Sequence, residues 1–69
     1  MQEHRIKKDI MLFEQHLKEL PKKKVVDMAI RYYQDTKYYL GKEDLFTAFG
    51  CINYAHGLID AIRMQKEGE

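Results

Sequence analysis

The feature that most constrains this chain is the spacing of its apolar residues, which recur every three or four positions in three successive runs. Because a helix turns by about 100° per residue, this spacing gives each run one apolar stripe. The alternation typical of strands is missing. The predicted stripes are Ile6, Ile10, Phe13, Leu17 and Leu20; Val25, Ala29, Tyr32, Thr36 and Tyr39; and Ala48, Ile52, Ala55, Ile59 and Ile62.

Two short breaks separate the three runs. Pro21 restricts the residue before it, so the first helix is expected to end near Glu19. Gly41 suits a left-handed cap after the second helix. Asp44 suits the N-cap of the third helix, with Glu43 beside it to complement the helix dipole. The predicted helices are 3–19, 22–40 and 44–65.

Short connections between three amphipathic helices predict an all-α fold, a three-helix up-down-up antiparallel bundle that forms one domain over residues 1–69. A chain of 69 residues buries only about 60% of its unfolded surface, so its core needs a supplement. The single cysteine, Cys51, excludes an internal disulfide, and the ligand spacings indicate no metal site. We expect no cofactor, and we expect homo-oligomerisation or very regular helix packing to stabilise the fold.

Charge is nearly balanced, with 12 basic and 11 acidic residues and a net charge of +1. This balance indicates no overall field that would steer the chain to nucleic acid or anionic lipid. We find no long apolar run for a transmembrane span and no apolar signal region at the start. The expectation is a cytoplasmic protein without a membrane partner.

The stretch YYQDTKYYLGKEDLFTAFGCINYAHGLIDA, residues 32–61, resembles a small archaeal helical family, domain-of-unknown-function family three-five-seven. That family usually places glycine directly before the aspartate of the turn, where this chain has Glu43. The resemblance implies a compact α-helical protein and supplies no activity. The residues that resemble the family are Tyr32-Tyr33-x-Asp35, the acidic turn ending at Asp44, and Tyr54-Ala55-x-Gly57-x-x-Asp60-Ala61.

A polar edge runs beside the apolar stripe of the third helix. Asn53, His56 and Asp60 fall within about 60° of one another on the helical wheel, and Asp35 occupies the matching edge of the second helix. The structural interpretation is a boundary network in which Asp60 orients His56. The alternative is a small-molecule or catalytic site with His56 as proton carrier. No nucleophile or metal motif accompanies it, and Cys51 lies roughly 140° from His56, so we expect no enzyme.

Small and apolar residues outside the stripes predict an interface. Gly57 and Ala61 form a small strip that would let another helix approach closely, which would offset the cost of about 1 kcal/mol for a helical glycine. Several large apolar residues also lie off the stripes, and a contiguous patch of them would mark a binding surface. The predicted interface residues are Met11, Leu12, Tyr38, Phe46, Gly50, Tyr54, Gly57 and Ala61.

Positive charge gathers at one end of the predicted bundle. Its simplest role is to complement the C-terminal dipoles of the first and third helices. The alternative is an RNA-associated accessory protein in which Lys22, Lys23 and Lys24 contact phosphates, although no aromatic-basic RNA motif is present. The leading hypothesis is a non-enzymatic helical module for protein–protein interaction. The basic residues at this end are Lys18, Lys22, Lys23, Lys24, Arg63 and Lys66.

Overall fold

Three α-helices pack into the predicted bundle in a computed structural model. The structure describes residues 3–67, with side chains for residues 3–64. The all-α, up-down-up fold is therefore confirmed. The helices are α1 (Glu3–Leu17), α2 (Lys24–Gly41) and α3 (Leu45–Glu67).

The connection between α1 and α2 is two residues longer at each end than predicted. A tight turn closes α1 early, with the N–H of Glu19 donating to the carbonyl of His16 at 3.0 Å. The chain then runs extended to Lys23, whose φ and ψ are −143° and 158°. The carbonyl of Lys23 accepts the N–H of Asp27 at 3.0 Å. Lys23 is the N-cap of α2, and its side chain makes no capping hydrogen bond.

The predicted left-handed cap at Gly41 is wrong, because Glu43 takes that conformation with a φ of 62°. The N–H of Glu43 donates to the carbonyl of Leu40 at 3.0 Å, and the N–H of Asp44 donates to the carbonyl of Tyr39 at 2.9 Å. This pair of bonds is a Schellman motif. Helix α2 continues through Gly41, so the left-handed residue falls immediately before the aspartate that begins α3.

Asp44 is the N-cap of α3, as predicted. Its Oδ1 accepts the N–H of Thr47 at 3.2 Å, and its carbonyl accepts the N–H of Ala48 at 3.0 Å. Such a side-chain cap satisfies one of the backbone donors that the first helical turn leaves free. Glu43 and Asp44 together reverse the chain within four residues and fix where the α3 stripe begins.

The core is centred on α3, whose predicted stripe is buried throughout. In α2, Val26 is buried and Val25 only half-buried, so the stripe is rotated slightly from the prediction. Thr36 is buried as well, and its hydroxyl donates to the carbonyl of Tyr32 at 2.8 Å. Helices α2 and α3 share the most extensive contact, and α1 covers one side of this hairpin. The buried apolar residues are Ile6, Ile10, Phe13, Val26, Ala29, Ala48, Ile52, Ala55, Ile59 and Ile62.

Candidate functional site

His56 joins α3 to α1. Its Nε2 lies 2.8 Å from the backbone carbonyl oxygen of Asp9. A carbonyl can only accept a hydrogen bond, so this nitrogen carries the proton and donates. The imidazole also meets Phe13 and His16 edge-on, with ring centroids 5.8 and 6.3 Å apart. The ring therefore holds a definite place in the α1–α3 contact.

Asp60 does not orient His56, so the expected pair is replaced by two separate contacts. The Asp60 carboxylate accepts a hydrogen bond from Nη1 of Arg63 at 3.2 Å, one turn along the same helix. Both side chains are substantially exposed, and such ion pairs contribute little stability. The cause lies in direction, because His56 turns toward α1 while Asp60 reaches along the surface of α3.

Asp35 lies on the other side of α3, near Cys51. Burial raises the pKa of the Cys51 thiol, and the charges of Asp35 and Asp44 raise this pKa further. The thiol therefore stays protonated at neutral pH and is a weak nucleophile. Asn53 is exposed. The four residues predicted as one polar edge thus occupy separate surroundings, while the predicted separation of Cys51 from His56 is confirmed.

A second polar contact, which the sequence reasoning missed, joins α1 to α2. The Tyr33 hydroxyl donates to the Glu14 carboxylate, and this bond is the largest cause that raises the pKa of Tyr33. The Tyr33 ring stacks on Phe13 with centroids 5.0 Å apart, and the Lys37 ammonium lies 5.1 Å from the same ring. No spacing rule could find a pair of residues 19 positions apart.

The side of α3 that faces away from the core carries a continuous stripe of exposed uncharged residues, which we call the outer face. Phe46 is 83% exposed, Tyr54 52% and Met64 69%. A Cβ atom added at Gly50 or Gly57 would find no heavy atom of a neighbouring element within 4 Å. No other helix of the described chain covers this strip. The outer face comprises Phe46, Gly50, Tyr54, Gly57, Ala61 and Met64.

An open groove lies at the N-terminal half of the outer face. Its volume is about 590 Å³, and Gly50, which has no side chain, lines it between Phe46 and Tyr54 in the sequence. The Tyr54 ring meets Tyr32 of α2 edge-on at 4.6 Å between centroids, so α2 forms one wall. The residues that line the groove are Tyr32, Phe46, Thr47, Phe49, Gly50, Cys51 and Tyr54.

The structure divides the predicted interface residues among the three helices. Met11 and Leu12 are exposed on α1 and Tyr38 is exposed on α2, whereas the other five share the outer face of α3. Two exposed methionines were not predicted, namely Met28 on α2 and Met64 on α3. The sequence carried a signal for Met64, because Gly50, Gly57 and Met64 lie seven positions apart and therefore on one side of a helix.

Unlike α1 and α2, α3 is apolar on two sides, the buried inner stripe and the exposed outer face. Residues Leu45–Met64 are long and apolar enough to cross a membrane by length and composition alone, so the expectation that the chain has no long apolar run is corrected. Only 28% of that window is buried within the bundle. The inner stripe supplies the core, and the outer face supplies the rest of the apolar character.

The lysines at the basic end of the bundle are exposed to solvent. Lys18, Lys22, Lys23 and Lys24 are all exposed. Arg63 is engaged with Asp60, and the side chain of Lys66 lies outside the described residues. None of these four lysines takes part in an ion pair among the side chains of residues 3–64.

Comparison with known families identifies a match that covers most of the chain. A family model described as "Protein of unknown function (DUF357)" matches residues 7–66. No curated protein matches the chain. The matched region spans most of α1, all of α2 and all but the last residue of α3, including the His56 contact and the outer face. The chain therefore belongs to the DUF357 family, whose function is unknown.

Proposed function

We propose that this protein is a non-enzymatic helical module for protein–protein interaction, and that its binding surface is the outer face of α3 with the adjoining exposed side of α2. The observation that carries the proposal is Phe46, an aromatic side chain that is 83% exposed at the N-terminal end of the apolar outer face. A helix that is apolar on both sides is normally covered on both sides. Contiguous exposed apolar patches mark interaction sites on soluble domains.

The small core supports the same proposal. Three of the buried apolar residues, Ala29, Ala48 and Ala55, have side chains of a single methyl group. Each square ångström of apolar surface removed from water contributes about 25 cal/mol. A partner on the outer face would therefore add burial where α3 has none, and would supplement a domain whose size makes it marginal.

The polar groups support a non-enzymatic role. The Nε2 proton of His56 is engaged by the Asp9 carbonyl. The carboxylate of Asp60 is engaged by Arg63, and the Cys51 thiol is held in its protonated form. Within the described side chains, no three His, Cys, Asp or Glu residues come together as metal ligands would. Catalysis would need a free acid, base or nucleophile beside a substrate site.

Photocrosslinking tests the proposal. A benzophenone amino acid replaces Phe46 in one sample and the exposed Gln15 of α1 in the control, both in cells of the source organism. We expect discrete protein adducts from position 46 and none from position 15. The adduct should disappear when Gly57→Lys is added, because that change places a charge on the outer face eleven residues from the probe. Equal adducts from both positions, or adducts that survive Gly57→Lys, would contradict the proposal.

The exposed lysines of the basic end favour a second candidate, an RNA-associated accessory protein. Lys22, Lys23 and Lys24 are adjacent and exposed, and each phosphate contact contributes about 0.7 to 0.9 to the log–log salt slope of binding. Replacing all three with glutamine should then flatten that slope for a structured RNA probe. RNA binding that is absent at low salt, or unchanged by the replacement, would remove this candidate.

A further inference from the structure

We infer that the partner that covers the outer face is a second copy of this chain, packed antiparallel about a two-fold axis that passes between Asn53 and Tyr54. This inference rests on the proposed function and identifies its partner. Two-fold symmetric dimers are the commonest protein oligomers, and their interfaces must be self-complementary. The outer face has that property in its shape, and the adjoining side of α2 has it in its charges.

The shape of the outer face is complementary to itself when reversed. In an antiparallel pair, each residue of α3 meets the partner residue that lies equally far beyond the axis. Gly50 then lies against the partner's Gly57, and Phe46 lies against the partner's Ala61. The glycines have no side chain to hold the two backbones apart. The large Phe46 ring meets a small residue, so the helices can approach closely on either side of the axis.

The charges of α2 are arranged in the same way. The contact between Tyr32 and Tyr54 places the middle of α2 beside the middle of α3. Arg31 and Asp35 are exposed on either side of Tyr33, and Asp35 lies on the groove side because it is one helical turn from Tyr32, which lines the groove. Residues four apart share one side of a helix, so Arg31 lies there too.

The two-fold axis therefore sets Arg31 opposite the partner's Asp35, and Asp35 opposite the partner's Arg31. Two ion pairs form at the edge of the interface. In a parallel pair, Arg31 would meet the partner's Arg31 and Asp35 would meet the partner's Asp35. Like charges placed together suppress the wrong arrangement, so the pattern specifies the antiparallel orientation.

The exposed apolar side chains of α2 and α3 supply a large part of the area that a stable dimer buries. The aromatic side chains Phe46, Tyr38 and Tyr54 are 83%, 59% and 52% exposed. At roughly 200 Å² for each aromatic side chain, they offer about 400 Å² per copy. A standard interface buries about 800 Å² per partner. Met28 on α2 and Met64 on α3 are 46% and 69% exposed and add further apolar area.

A lipid bilayer fits this surface less well. The side of α2 beside the outer face carries the charged Arg31 and Asp35 and the hydroxyl of Tyr38. Ionised side chains are costly to bury in hydrocarbon, and unpaired polar groups also resist transfer out of water. A second copy pairs the two charges and leaves the hydroxyls at a wet rim.

Sedimentation equilibrium of the purified full chain from about 1 to 100 μM tests the inference. We expect a dimer of twice the 8.3 kDa chain mass. Arg31→Asp and Asp35→Arg should each weaken dimerisation by about tenfold or more, because each creates two repulsive pairs. The double variant should restore it, and an equimolar mixture of the single variants should form the heterodimer. Lys8→Asp on α1 is the matched control and should leave the dimer unchanged.

Disulfide trapping tests the orientation in a Cys51→Ser background. A chain with Gly50→Cys and a chain with Gly57→Cys are mixed and oxidised. We expect the mixed disulfide between the two chains to form in preference to either homodimeric disulfide. Preferred 50-to-50 and 57-to-57 disulfides would indicate parallel packing and would overturn the inference.

The other outcomes are also decisive. A chain that remains monomeric at 100 μM, or a dimer that ignores the charge exchanges, would overturn the inference. Monomers that bind phosphatidylcholine vesicles through the outer face would overturn it in favour of lipid. The photocrosslinking result is independent, because specific adducts from position 46 to a different protein would preserve the proposed function while this inference fails. Circular dichroism of each variant establishes that it is folded.

Discussion

His56 shows how one side chain can be structural although its chemistry is that of a catalyst. The ring donates its Nε2 proton to a backbone carbonyl on another helix and packs between two aromatic residues of α1. Neither neighbour on the predicted polar edge contributes to this arrangement. The direction of the side chain, rather than its position on the helical wheel, decides its role.

The first residue-scale prediction concerns His56 and Asp60. We expect His56→Ala to lower the free energy of unfolding by about 1–2 kcal/mol, through the lost hydrogen bond and the lost aromatic packing. Asp60→Ala should change it by less than about 0.5 kcal/mol, because its ion pair is exposed. The effects should add in the double variant. Urea unfolding measures all three, with His4→Ala as the exposed control. A coupling above about 0.5 kcal/mol would instead indicate a direct pair.

The second residue-scale prediction concerns the left-handed Glu43. A side chain in this conformation costs roughly 1–2 kcal/mol, which glycine avoids. Glu43→Gly should therefore raise the free energy of unfolding by about 1 kcal/mol, measured by thermal denaturation. Lys42→Gly is the control, because Lys42 has a φ of −87° and gains no relief. If Glu43→Gly destabilises the protein as much as Lys42→Gly does, the turn has a different conformation.

At the scale of elements, α1 is attached to a better-connected α2–α3 hairpin. Its apolar stripe is supplemented by two polar contacts, Asp9 with His56 and Glu14 with Tyr33. One contact points to α3 and the other to α2, on either side of Phe13. These contacts fix how α1 is rotated and shifted along the groove between its two neighbours.

The element-scale prediction is a pH dependence at the α1–α2 contact. The hydrogen bond to Glu14 raises the pKa of Tyr33, so the folded state favours the protonated phenol. The contribution of this hydrogen bond to stability is complete below the ordinary tyrosine pKa of about 10. It is lost as the pH rises through the higher folded value. Glu14→Gln should lower the pKa of Tyr33 in an ultraviolet titration, whereas Glu19→Gln should not. An unchanged titration curve would exclude the hydrogen bond.

At the scale of the whole molecule, the bundle is asymmetric. Helix α1 covers one side of the α2–α3 hairpin, and the opposite side remains open. At the exposed glycines of the outer face, the residue that best stabilises the fold differs from the residue that best allows association. Alanine would favour the helix, whereas a side chain would separate two helices that cross there.

The whole-molecule prediction uses this opposition. Gly57→Ala should raise the stability of the dilute monomer by up to about 1 kcal/mol, because the added methyl group meets no neighbour. The same change should weaken self-association in sedimentation experiments. Gly41→Ala is the matched control, since that site is equally open but lies at the end of α2. It should stabilise the fold without affecting association, and an identical response of both variants would count against contact at Gly57.

The sequence by itself determined the number of helices, their buried stripes and the cap at Asp44. These follow from properties local to the chain, since the helical repeat fixes which residues share a side and the cap bonds a backbone group three residues away. The sequence also separated Cys51 from His56, because both lie on one helix. It placed the turn between α2 and α3 correctly, but not the left-handed residue within it.

Only the tertiary structure decided which neighbour each side of each helix contacts. The partner of His56, the bond from Tyr33 to Glu14 and the exposure of the outer face depend on how α1 lies against the hairpin. That placement results from contacts between residues far apart in sequence, such as Phe13 with Tyr33 and Asp9 with His56. A periodic pattern shows that α3 has two apolar sides. The inner side could be recognised from its regular Ile and Ala spacing, but whether α1 or α2 also covers the outer side depends on packing, because either helix could lie against it.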